Sequence, residues 1–207
     1  MSTRTGLRLK TFWFKDQRAR DPNQIATATA AVLWRGANHR IQNLRNGKFN
    51  IDAGPDYANV LVELLCLMVV VADRIAYRQE AAPWREQFTG ALAHRVGELL
   101  QDSLDDLIGP DPDPARGWRR RFIDRVNARI AEYAAHDYGP DGPDFGFLRH
   151  FGDCLTEMLP DADDRRWSCD QAMTVEGPEI VDMMEKSLSG LLGLAPKPPR
   201  RAAGGAD

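Results

Sequence analysis

YANVLVELLCLMVVVADRIAYRQE, residues 57–80, is the one long run in which apolar side chains would cover every face of a helix. Leu61, Leu64, Leu65, Met68 and Val71 supply one face at helical spacing, and Val60, Val62, Leu67, Val69 and Val70 fill the others. A helix that is apolar all round is either a membrane span or the buried centre of a bundle. The unbroken apolar part, residues 64–72, falls far short of the roughly 20 residues that a span needs, and Asp73, Arg74 and Arg78 follow at once. The β-branched run Val69, Val70, Val71 would suit a strand, but the apolar pattern continues too long without a turn signal. The stretch reads as a core helix, not a membrane span.

Glu63 is the charged residue inside that core, and an unpaired buried carboxylate is costly. Arg74 lies eleven residues on, near the same face but three turns away, so neighbouring helices must supply partners for both. Two readings of Glu63 follow. It accepts hydrogen bonds from an Arg or Trp of another helix, or it serves as a metal or ligand carboxylate inside the bundle.

Working outward, Asp21-Pro22 opens a first helix, with Asp as its cap and Pro at its first position, and Gly47 ends it. Pro83 starts a third long helix that Gly109 closes, and Asp113-Pro114 repeats the start signal for a fourth. Residues 145–159 give a fifth helix in which Gly146 and Gly152 point to close backbone approach. Gly177-Pro178-Glu179 starts a last one, with Ile180, Met183, Met184, Leu188 and Leu191 as its apolar face. No strand-like alternation stands out. The expectation is an all-α, single-domain bundle of five to six helices spanning residues 1–194. Its basic, aromatic N-terminal arm is residues 1–20, including Thr11, Phe12, Trp13 and Phe14, and residues 195–207 form a disordered tail.

Composition narrows the function class. At 207 residues and 43% hydrophobic content, one globular domain is the expectation, and a net charge of −3 argues against general nucleic-acid binding. Cys66, Cys154 and Cys169 are odd in number, widely spaced and contain no C-x-x-C pair, so neither a disulfide framework nor a zinc-finger site is expected, and reduced core cysteines are. The N-terminus lacks the apolar segment of a secretory signal, which makes a cytoplasmic location the expectation. There is no P-loop, no G-x-G-x-x-G and no G-x-S-x-G.

Two constellations could carry chemistry. Arg121, Arg125 and Arg129 recur once per turn on the fourth helix, so they either pair with Asp102, Asp105 and Asp106 or hold an anionic ligand. Ionisable pairs three or four apart, His94/Glu98, Glu132/His136 and His150/Asp153, could chelate a divalent metal or be ordinary surface pairs. The adjacent His136-Asp137 at the end of the fourth helix, with His94 upstream, resembles the metal-binding motif of the HD-domain phosphohydrolases. That resemblance implies a divalent metal held by His94, His136 and Asp137 that activates water against a phosphate ester. The leading expectation is nonetheless a non-enzymatic binding or accessory protein, acting as a homodimer or with a protein partner. A metal-dependent phosphohydrolase, or a carboxylate/His metal site using Glu63, is the alternative.

Overall fold

Asp21 accepts the backbone N–H of Asn23 at 3.0 Å, and Pro22 follows where a missing N–H costs nothing, so α1 runs Pro22–Asn46. The computed structural model describes residues 21–47, 49, 51, 54–113, 115, 117–159 and 165–193. The N-terminal arm and the C-terminal tail lie outside the described residues. After α1 come α2 (Pro55–Gln79), α3 (Ala82–Ile108) and α4 (Gly117–Tyr133). A tight antiparallel pair of two-residue strands, β1 (Tyr138–Gly139) and β2 (Gly142–Pro143), then turns the chain back. Next is α5 (Phe145–Glu157), followed by α6 (Arg165–Gln171), a π-helical turn (Ala172–Glu176) and α7 (Gly177–Leu191). The fold is all-α.

The hub is where the apolar pattern puts it. Every residue of α2 from Val60 to Asp73 is buried, and α1, α3, α4, α5 and α7 all pack against it. Burying this helix is the main source of cohesion, at about 25 cal/mol for each Å² of apolar surface removed from water. Two acids travel into the core with it, and each is met by a forked guanidinium from a different helix. Asp73 is held by Arg85 of α3 through Nε at 2.9 Å and a terminal nitrogen at 2.8 Å, with the Thr89 hydroxyl donating at 2.7 Å. Glu63 is held by α4, as described below. Arg74 donates to the backbone carbonyl of Tyr133 at 2.9 Å, a second donor beside the His136 N–H at 3.1 Å where α4 ends.

Two features differ from the sequence expectation, each for a local reason. Asp113-Pro114 does not cap α4. The Asp113 carboxylate instead accepts the N–H of Ala115 within a turn, and Gly117 at φ +67° separates that turn from the helix. The small β-pair was not anticipated, because two residues per strand leave no alternation to read. Gly177-Pro178 begins α7 as expected, but the helix has no free start: α6, the π turn and α7 follow one another without a break. Pro178 has no N–H to give the carbonyl four residues back, and the Gly177 N–H bonds instead to Ala172, five residues back.

Gly152 marks a close meeting of two helices. A Cβ there would lie 2.7 Å from Cys169 Sγ and 3.0 Å from the Cys169 carbonyl, so its hydrogen lets α5 sit directly on α6. Ile180, Met184 and Leu188 of α7 are buried against the hub, so this face of the last helix belongs to the core of its own chain. Among the described residues no helix is long and apolar enough to cross a membrane.

Candidate metal centre

The three arginines of α4 climb one face of the helix, and the structure supplies each with an acid. Arg121 donates to the fully buried carboxylate of Asp111 at 2.7 Å. Arg129 grips Glu63 in a fork, Nε to Oε2 and a terminal nitrogen to Oε1, both at 2.9 Å, and Arg125 adds a contact to Oε1 at 3.1 Å. The expected partners Asp102, Asp105 and Asp106 are exposed, and Asp105 accepts from Gln101 instead. The expected anion site is therefore corrected. Arg121, Arg125 and Arg129 already face carboxylates, and the acids that serve them come from the hub helix and the α3–α4 loop.

Both oxygens of Glu63 accept from arginine. Burial weakens the Arg129 charge, but the hydrogen bonds it donates to Glu63 and Glu132 more than compensate and hold the guanidinium firmly protonated. With Glu63 3% and Arg129 8% exposed, this is a desolvated ion pair at the centre of the bundle.

The sequence-derived metal set does not come together. His94 stands near the start of α4, its Nδ1 3.4 Å from Arg119, whereas His136 follows the end of α4. The intervening fourteen residues of helix put about 20 Å between them at 1.5 Å per residue. The exposed Asp137 is tied by its backbone, donating to an Asp144 carboxylate oxygen at 3.3 Å and accepting the Asp144 N–H at 3.0 Å. The geometry implied by the HD-domain resemblance is absent on this count.

A different trio converges instead. Among the described residues, the group of possible ligands whose donor atoms all lie within 4.8 Å of one another is Glu132, His150 and Cys154. Helical spacing explains it, since His150 and Cys154 are four apart on α5 and share a face, while Glu132 reaches across from the last turn of α4. One nitrogen, His150 Nε2, lies 3.1 Å from Glu132 Oε2 and 3.5 Å from Cys154 Sγ. The carboxylate is ionised, so Nε2–H donates to Glu132 and the thiol lies beside the same edge of the ring. Tyr133, buried under α5, meets the His150 ring edge-on at 4.7 Å between centroids and fixes its tilt.

The electrostatics are uneven across the three. Burial works to raise Glu132, but hydrogen bonds from Arg129 and His150 outweigh it and hold the carboxyl below its ordinary value. Burial pushes the Cys154 thiol up to about 12 despite the nearby Arg129 charge. The thiol is therefore protonated at neutral pH and a poor nucleophile as it stands; a bound cation is the ordinary way to draw off such a proton. Glu132 and His150 are partly open to solvent while Cys154 is buried, which gives the site an outer and an inner side.

No known protein family, curated protein or solved structure matches this chain. The reading therefore rests on the residues themselves.

Sequence reasoning singled out His150 but set it beside Asp153, and it set Glu132 beside His136. Asp153 pairs with Arg149 on the exposed side of α5. The available signal was His150-x-x-x-Cys154, a pairing at the same helical spacing that joins an imidazole to a thiol.

Proposed function

We propose that this is a binding protein whose ligand is a divalent transition metal of zinc type, held by Glu132, His150 and Cys154. The observation that carries the proposal is the convergence of carboxylate, imidazole and thiol within 4.8 Å, one from α4 and two from α5. Mixed oxygen, nitrogen and sulfur donors suit zinc better than magnesium or calcium, which prefer oxygen alone. Arg129 supports the ligand set from behind, because it binds Glu132 with one edge and the buried Glu63 with the other. Such outer partners fix ligand orientation. The distance between His94 and His136 gives no support to a phosphohydrolase of HD type.

The test is metal content. Protein dialysed against zinc and then exhaustively against metal-free buffer should retain about one equivalent by mass spectrometry. Cys154→Ser and His150→Ala should each weaken binding at least tenfold, on the order expected when a ligand or its close support is lost. Equal zinc retention in both variants and the parent would end this reading.

The same proposal takes the protein to act in a reducing, cytoplasmic setting, since its three cysteines are unpaired and buried. It also includes self-association or a protein partner, for which the exposed Phe145 (72%) and Tyr77 (65%) offer contact points. A monomeric mass across the micromolar range, with no associated protein, would remove that part.

A further inference from the structure

Three protein donors leave a tetrahedral metal one position short. From the ring geometry around α5 we infer that His136 supplies the fourth ligand, as a second imidazole; the inference rests on the three-residue site proposed above. His136 lies just beyond the last turn of α4, and its ring centroid is 5.4 Å from that of His150, with 31° between the planes. Two imidazoles bound to one tetrahedral zinc through bonds of about 2.1 Å hold their centroids about 5.2 Å apart. The two rings are thus close neighbours at a comparable centroid separation, although the ring nitrogens do not yet point to one centre.

The surroundings favour one ring nitrogen for that role. Gly146, in the first turn of α5, leaves a notch in which His136 rests. A Cβ there would sit 2.8 Å from His136 Nδ1 and 3.4 Å from the Asp144 carboxylate oxygen Oδ1. Nδ1 and Asp144 thus flank the same notch, and Asp144 is held in place by accepting the Phe147 N–H at 2.6 Å as the cap of α5. A carboxylate accepting from Nδ1 would leave Nε2 to a metal, the usual outer arrangement for a ligating histidine. The nitrogens of His136 lie outside the 4.8 Å group, so a rotation of its side chain completes the set. The β-pair positions it: the Asp144 N–H donates to the Asp137 carbonyl at 3.0 Å, closing the loop directly after His136.

X-ray absorption at the zinc edge of the loaded, unmutated protein counts the imidazoles directly. Two imidazoles, one sulfur and one oxygen are expected, and a single imidazole would overturn the assignment of His136 while leaving the three-residue site standing. Failure of the parent protein to hold zinc would instead overturn the site as a whole. His136→Ala should weaken zinc binding tenfold or more, and the cobalt-substituted variant should lose the intense visible absorption of a four-coordinate centre. Gly146→Val, which fills the notch without removing a ligand, should also weaken binding. Undiminished binding in both variants would refute the inference.

Discussion

Replacing Arg129 with leucine would leave the carboxylate of Glu63, 3% exposed, facing only Arg125, whose side chain is 39% exposed and makes a single contact at 3.1 Å. Removing one partner of a buried pair strands the other charge, at a cost of about 3–5 kcal/mol. Arg129 also carries Glu132, but that acid can turn to water, so most of the loss comes from Glu63. For a chain of this size, 3 kcal/mol corresponds to a fall in Tm of about 6–12 °C. Equilibrium urea unfolding should register it as a lower midpoint at an unchanged slope. The double variant E63L/R129L removes both charges and substitutes apolar bulk, so it should recover more than half of the single-variant loss. The reasoning fails if Arg129→Leu costs less than about 1 kcal/mol, the level of an exposed pair. It fails equally if the two single losses simply add in the double variant.

The remaining predictions use the same unfolding assays or direct binding. Gly152→Ala should destabilise by about 1–3 kcal/mol through overpacking, because its new Cβ would meet Cys169 and Met173 at under 3 Å. Gly90→Ala, at a helical position with nothing within 4 Å, should stabilise by up to about 1 kcal/mol; opposite signs for the pair are the check. Burial pushes the Cys66 thiol well above its ordinary value, with Glu63 adding to the effect. Its contribution to stability is therefore complete below about pH 8.5 and is lost above it, as the unfolded chain ionises first. Stability should fall less steeply between about pH 8.5 and 10 in Cys66→Ala, by up to about 1.4 kcal/mol per pH unit; parallel slopes would refute it. Zinc must displace the Cys154 proton, so affinity should rise about tenfold per pH unit between about pH 6 and 8 and more gently in Cys154→Ser. Competition titration with a metal-binding dye reads that slope.

The helices were legible because their signals are local. Asp21-Pro22 marks the start of α1, Gly109 the end of α3, and the all-round apolar pattern places α2 at the centre. The pairings were not legible, for a physical reason. Glu63 and Arg129 are 66 positions apart, and nothing in helical periodicity relates the rotation of α2 to that of α4. Both were visible as residues in need of partners, yet the nearer aspartates at the end of α3 were the only candidates that sequence proximity could offer. The candidate site shows the same division. His150 and Cys154 share a face by spacing alone, but Glu132 reaches them only because the chain turns back at the β-pair and brings α5 to the end of α4.

The π turn at Ala172–Glu176 has a mechanical consequence for the C-terminal part of the chain. Widening one turn amounts to adding about one residue to a helix, which rotates everything beyond it by roughly 100°. Before the turn, Cys169 faces α5 at Gly152; after it, Ile180, Met184 and Leu188 face α2 and α1. The turn therefore works as a phase adjuster that lets one continuous rod serve two neighbours set at different angles. Deleting a single residue within it would restore ordinary winding and leave one of the two faces turned away from its neighbour. Insertions and deletions here should be far less tolerated than substitutions at the same positions.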